Sequence, residues 1–403
     1  MIRRITIALR QQTTDRDLIL LLLIGGLYAL GILLSNTFVN VFLWRQTNEY
    51  LPIATYNLAI FIIQPITFII AGKLTKKIDR VNILRLGIVF LCLFFVTVLF
   101  LGDRAATYNV VLGCLLGIGY GLYWLAFNVL TFEITEPDTR DFFNGFMGAL
   151  ESLGGMIAPV VAGAIIAKLT TNIGYMTVFS ISLALFVCAV ISSFFLEQRK
   201  ADGPYELKNV IKQLFVNRRW RYVVLANLFQ GIREGLFIFV ITIWVFIVTN
   251  SEFALGVFYL ILNVISLLGY FFVSKFILPS YRITTIFIGS ILVSLSILIL
   301  FFHLHYALFL VYAFVIGLGF PLLQVPYTSI VYDVVGTSKY AKEWRVEYIV
   351  VLELFVNIGR ICSIALFIVT IMLVGEQSIR YLLLITSQAY LFVFYFMRKL
   401  YQK

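Results

Sequence analysis

Twelve apolar runs succeed one another along this chain, near 18–44, 52–74, 82–101, 107–132, 142–167, 174–196, 222–249, 253–277, 283–304, 306–332, 346–374 and 379–397. Each is close to, or longer than, the roughly 20 residues a helix needs to cross a hydrocarbon core. So much apolar surface has no place in a water-soluble fold. The chain is 61% hydrophobic and 13% charged, whereas a soluble domain is about half apolar and about a quarter charged. The pattern predicts an all-α polytopic membrane protein of about twelve transmembrane helices, with the lipid bilayer as its surroundings.

The net charge of +11 would suit a nucleic-acid partner only if the charges formed a surface. Instead, every Lys and Arg except Arg233 and Arg360 falls at the end of a run, between runs or at a terminus. With twelve crossings both termini share a side. That side carries Arg3, Arg4, Arg10, Arg16, Lys73, Lys76, Lys77, Arg80, Arg85, Arg140 and most later basic residues; the other has Arg45, Arg104, Lys168 and Arg380. Basic residues concentrate on the cytoplasmic side, so both termini are expected there, and no nucleic acid is expected as a partner. Short loops point to a bacterial inner membrane. The cysteines Cys92, Cys114, Cys188 and Cys362 lie inside apolar runs and read as small buried hydrophobes, with no disulfide framework or zinc spacing. No P-loop, HExxH or GxSxG occurs, so no enzyme activity, cofactor or metal is expected.

The longest polar stretch, 197–221, lies at the midpoint, with Leu207, Val210, Ile211, Leu214 and Phe215 at helical spacing among basic residues. It reads as an amphipathic helix on the inner membrane surface, linking bundles at 1–196 and 222–403. These halves resemble each other. Residues 117–135 align without gaps on 317–335, matching Gly117 and Gly119 with Gly317 and Gly319, Phe127 with Tyr327, and Glu133 with Asp333. Residues 149–158 then align with 351–360, pairing Glu151 with Glu353. The reading is two pseudo-symmetric six-helix bundles, an arrangement that places a binding site between the repeats near mid-membrane.

Six plus six helices and a basic central loop resemble the major facilitator superfamily. Its loop after the second helix, roughly G-x-L-a-D-R-x-G-R-R, appears as Gly72, Leu74, Lys76, Lys77, Asp79 and Arg80, with Lys76 at the usual acid position. Its fifth-helix motif appears as Gly154, Ala158, Pro159, Ala162 and Gly163, small residues that let helices approach closely. The resemblance implies alternating access by a monomer. It also implies that Glu133 and Asp333 are gate acids, with Arg140 a partner for Glu133. In the family the loop acid meets the start of the eleventh helix; here Lys76 would meet Glu343 or Glu347 in a charge-swapped latch.

Ionisable residues inside spans cost roughly 2.5–3.5 kcal/mol at a helix centre, so they mark function or tight pairing. Glu151, Arg233, Glu234, Glu353 and Arg360 are such residues. Arg233 and Glu234 are expected at the centre of the site, Arg233 on an anionic substrate group and Glu234, Glu151 or Glu353 on a coupling proton. Glu353 and Arg360, seven residues apart on one helix face, are expected to pair and couple the halves. Weaker cavity candidates are Asn36, Asn40, Tyr123, Trp124, Asn128, Gln230, Gln324 and Tyr327. The sequence thus predicts a proton-coupled secondary transporter, working by alternating access, for an anionic or amphiphilic small molecule. Two other readings stand beside it: a flippase for a lipid or lipid-linked substrate, and a non-transporting sensor or scaffold.

Overall fold

The computed structural model describes residues 16–134, 137–169, 171–198, 204–276, 278–341 and 343–402. Among these residues the apolar runs are helices, the form in which a segment satisfies its own backbone groups without water. The first half comprises α1 (Arg16–Thr47), α2 (Tyr50–Leu74), α3 (Arg80–Leu101), α4 (Asn109–Ile134), α5 (Pro137–Lys168) and α6 (Thr171–Ser193). The linker holds α7 (Leu207–Val216). The second half comprises α8 (Arg218–Thr249), α9 (Glu252–Phe276), α10 (Arg282–Leu295), α11 (Leu298–Phe301), α12 (Tyr306–Gly336), α13 (Arg345–Val374), α14 (Ile379–Ser387) and α15 (Ala389–Lys399).

Eleven stretches of the described residues are long and apolar enough to cross a membrane, and one, Arg80–Thr131, runs for 52 residues. It holds both α3 and α4, joined by the 3-10 turn Gly102–Tyr108. Gly102 sits there at φ 51°, a left-handed conformation that favours glycine. The face on which α1 begins and α15 ends is called the terminal face below.

The ninth and twelfth spans differ from the continuous helices expected. The ninth breaks between α10 and α11, the twelfth between α14 and α15. The breaks adjoin a mutual bond: Ser294 Oγ donates to the Ser387 carbonyl at 2.9 Å, and Ser387 Oγ donates to the Ser294 carbonyl at 3.1 Å. Such serines offer the backbone alternatives to the helix ladder. The thiols are all free, but Cys188 and Cys362 are exposed, not buried as expected. Among side chains of α7, Val210 is buried while Phe215 and Val216 are exposed beside Lys208 and Lys212. The last residues of the polar stretch form the first turn of α8, whose start is capped by Asn217 accepting from Trp220 N at 3.1 Å.

The halves meet along two seams, α2 against α13 and α5 against α9. Gly163 on α5 lies where a Cβ would strike the Glu252 carbonyl, and a Cβ on Gly256 of α9 would stand 2.6 Å from the Pro159 carbonyl. Small residues let these backbones touch. Within the second half, α8 and α13 are equally close. A Cβ on Gly231 would strike the Val356 carbonyl, and one on Gly359 the Leu228 carbonyl.

Candidate functional site

A polar cavity of about 260 Å³ is lined by Asn128 of α4, Asn227 and Gln230 of α8, Gln324, Tyr327 and Tyr332 of α12, and Glu353 and Arg360 of α13, among others. It runs from mid-helix at Gln230 and Arg360 towards the terminal ends of α12 and α13. Asn128 and Thr328, at matching repeat positions, both line it. Gln324 Nε2 donates to Thr328 Oγ1 at 3.3 Å. The Gln324 Oε1 and Tyr327 hydroxyl atoms are buried without a hydrogen-bond partner.

Arg360 forms its ion pair with Glu234 on α8, not with Glu353 as expected. Its Nη2 and Nε donate to Glu234 Oε2 at 2.6 and 3.2 Å. Both helices belong to the second half, so this pair ties that half internally. The reason lies in the glycine contact, which brings α8 within reach, whereas Glu353 stands two turns along α13. Glu234 Oε1 accepts from Gln230 Nε2 at 2.8 Å, and Arg360 Nη1 donates to Asn357 Oδ1 at 3.3 Å. Arg360 reaches the other half through the Phe61 ring, 4.9 Å away.

Arg233 points elsewhere, because adjacent helical residues are about 100° apart. It is buried, with its guanidinium 4.2 Å from the Phe237 ring and 4.9 Å from that of Tyr390. Its Nε has no hydrogen-bond partner. Arg233 and Glu234 line a second, mainly apolar cavity of about 320 Å³, together with Phe237, Ile241, Phe258, Leu262, Ile316 and Phe320. The two residues share a wall of this cavity but hold different partners, aromatic rings for Arg233 and Arg360 with Gln230 for Glu234.

The carboxylates of Glu151 and Glu353 make no hydrogen bond or ion pair among the described residues. Glu353 lines the polar cavity. Glu151 is exposed, in the electrostatic surroundings of Tyr28, Tyr123 and, from the other half, Tyr270.

Several weaker candidates are packed inside the first half. Asn40 is buried and its Oδ1 accepts from Asn57 Nδ2 at 2.8 Å. Tyr123 is buried and stacked on Tyr28 with ring centroids 3.7 Å apart, and Trp124 meets Tyr28 edge-on at 5.4 Å. Asn36 Oδ1 accepts from the Tyr120 hydroxyl at 3.5 Å. Here polar and aromatic residues glue helices together.

Each face carries a contact between the halves. On the terminal face Lys76 Nζ lies 3.9 Å from Glu347 Oε1 and donates to the Glu343 carbonyl at 3.4 Å. Glu347, fully buried, also accepts from the backbone N–H of Glu206 in the linker at 3.1 Å. Beside it Tyr205 fills the notch at Gly72, where a Cβ would stand 2.8 Å from the phenol oxygen. Burial first, and the Glu347 charge second, push that phenol above its usual range. Leu74 packs on the core, and Asp79 caps α3 by accepting from Val81 N at 2.7 Å. On the opposite face Arg45 of α1 donates to Glu252 of α9 at 2.8 Å, and the Tyr175 hydroxyl donates to the same oxygen at 2.8 Å. Sequence reasoning passed over this pair, since both charges sit at span ends where interfacial charges are ordinary.

Glu133 hydrogen-bonds Arg80 at the start of α3; the Arg140 side chain lies outside the described residues. In the second half Asp333 accepts from Arg282 Nη1, at the start of α10, at 2.8 Å. The same clamp thus recurs at matching positions, and the basic residue beginning each helix was the signal available in the sequence.

Two six-helix bundles around a charged central cavity define the class of polytopic membrane transporters. The Major Facilitator Superfamily profile matches residues 18–363, and the chain belongs to that superfamily. It is 50% identical over 363 residues to the Bacillus subtilis (strain 168) protein YqgE, covering 90% of this chain and 84% of that one. A Geobacillus stearothermophilus protein from the sodM 3' region is 58% identical over 193 residues, covering 48% of this chain and 90% of that one. The fold is shared by the E. coli fucose:proton symporter FucP, with TM-score 0.65, 15% identity and 96% and 98% coverage of this chain and that one. It is shared too by the human organic anion transporter MFSD10, with TM-score 0.68, 12% identity and 96% and 100% coverage.

Proposed function

We propose that this protein is a proton-coupled secondary transporter of an anionic or amphiphilic small molecule, working by alternating access of its two halves. One observation carries the reading: a polar cavity lined by Glu353 and Arg360 lies between charged contacts that join the halves on each face, Lys76–Glu347 and Arg45–Glu252. The basic bias makes the terminal face cytoplasmic, and the protein sits in a bacterial inner membrane as a monomer. Glu353, an unpaired acid lining the cavity, Glu151 and Glu234 are the proton-carrying groups; Arg360 with Glu234 forms the charged centre. That the fold is shared with a fucose:proton symporter and an organic anion transporter supports transport as the class of activity.

The apolar cavity beside Glu234 favours a second reading, a flippase whose lipid headgroup meets the charges. The scaffold reading calls for an occluded, fully paired cluster, which the unpaired Glu353 in the polar cavity disfavours. The test is a screen in liposomes with an internal pH dye, comparing wild type with Glu234→Gln and Arg360→Gln. Solute-dependent proton flux lost in both supports the transporter. Flipping of fluorescent lipid without such flux moves the assignment to the flippase, and silence in both assays overturns both.

A further inference from the structure

We infer that the face opposite the termini carries a binding site for a zwitterion with an apolar body, of the α-amino acid class, and that its occupant holds that face shut. The site shares no lining residue with the two cavities described above. Its closing role rests on the alternating-access reading; its binding does not.

After α13 the chain turns at Gly375, whose φ of 91° and ψ of −179° fall in a region essentially reserved for glycine. Ser378 fixes the turn, its Oγ donating to the Gly375 carbonyl at 2.6 Å. Glu376 opens the 3-10 turn that follows, and Arg380 lies in the first turn of α14. Four residues apart on one continuous α-helix, such a pair would be neighbours. Here the two stand on different elements, and no ion pair joins them. The Glu376 carboxylate makes no hydrogen bond or ion pair among the described residues. Arg380 Nη1 donates to the Phe301 and Phe302 carbonyls at 3.4 and 3.5 Å, long contacts that hold a guanidinium weakly.

Both charges line one cavity of about 510 Å³, walled also by Tyr50, Trp244, Leu304 and Tyr381. Tyr50, the first residue of α2, and Trp244, near the end of α8, are both buried. Tyr50 is set in place by Trp44, with ring centroids 4.7 Å apart, and by Phe367 of α13, edge-on at 6.1 Å. Aromatic faces attract an organic ammonium, and Glu376, in the electrostatic surroundings of Tyr50, supplies the matching charge. The Arg380 guanidinium matches a carboxylate. A guest with both charges satisfies both groups, whereas an amine alone is repelled by Arg380 and an acid alone by Glu376. Tyr50 belongs to the first half and the other walls to the second, so the guest bridges the halves on the face that Arg45 and Glu252 also join. Opening of that face carries Tyr50 away from the other walls. Binding therefore favours the closed arrangement, to which the guest has the higher affinity.

The test is titration of the purified full-length protein, read by melting curves, with L-phenylalanine, phenethylamine and 3-phenylpropionate, which share an apolar body and differ in charge. Wild type should bind phenylalanine about tenfold or more tightly than either analogue, the scale of one charge-assisted hydrogen bond. Glu376→Gln should bind phenylpropionate as well as phenylalanine, and Arg380→Gln should bind phenethylamine as well as phenylalanine. Both side chains are exposed, so neither substitution threatens the fold. The site is overturned by no phenylalanine binding, by an analogue that matches phenylalanine in wild type, or by wild-type selectivity in both variants, which would put the zwitterion elsewhere. Spin labels on the opposite-face ends of α1 and α9 should show phenylalanine raising the short-distance population, and an unchanged distribution overturns the closing role. Failure of the transporter reading looks different: the exchange of selectivity holds while liposomes show no flux.

Discussion

Arg45 on α1 and Glu252 on α9 join the two halves at 2.8 Å on the face opposite the termini, with Tyr175 donating to the same carboxylate oxygen. Glu252 is 4% exposed, so its charge has exchanged water for these two donors. Glu252→Gln keeps the shape and removes the charge. In a cysteine-free background carrying Ile238→Cys, a half-exposed residue of the apolar cavity, it should raise labelling by an impermeant thiol reagent from that face by about tenfold, the equivalent of roughly 1.4 kcal/mol. Unchanged labelling would remove this pair from the closing mechanism.

The Lys76–Glu347 contact predicts the reverse effect. Lys76→Glu sets a carboxylate against the buried carboxylate of Glu347, and should lower the population closed on the terminal face. Spin labels on the terminal ends of α2 and α13 would report this as a longer distance. The exchange Lys76→Glu with Glu347→Lys should bring the distance back; an unchanged distribution in the single variant would show that Lys76 merely rests at the headgroups.

The two clamps share a plan but differ in burial, and burial decides their weight. Arg80 is 8% exposed, whereas Asp333 is 64% exposed. Glu133→Ala strands a buried guanidinium and should cost about 3–5 kcal/mol. Asp333→Ala removes an open surface pair and should cost roughly 0.2–1 kcal/mol. Melting of the two variants in one detergent ranks them, and equal losses would contradict the argument.

Close packing of α8 on α13 predicts a large effect from one methyl group. Gly231→Ala has no room and should cost about 1–3 kcal/mol or more, with loss of the Glu234–Arg360 geometry. Gly145→Ala on α5, with nothing within 4 Å, should be neutral or slightly stabilising through helix propensity. Melting temperature separates the two; similar values would mean α8 and α13 stand further apart.

The membrane class and the layout of helices were legible because apolar length is a local property of sequence. The break of the ninth span was hidden, since Ser294 meets its partner Ser387 only after folding. The intramembrane charges could be recognised singly, but their partners could not. Spacing favoured Glu353 for Arg360, and only the α8–α13 contact reveals Glu234. Arg233 shows the same gap, because its place among Phe237 and Tyr390 depends on how α8 is rotated and on where α15 packs. Lys76 drew attention by departing from a motif, while Arg45 and Glu252 departed from nothing.

Both clamps join the start of the third helix of a half to the end of the fourth, so each half is a lever with its own brace. Where α5 crosses α9, Gly163 and Gly256 let the two levers bear directly on one another, and that crossing serves as their fulcrum. A larger side chain at the fulcrum breaks no bond at either gate. It shifts the pivot, and the reach of both gates shifts with it.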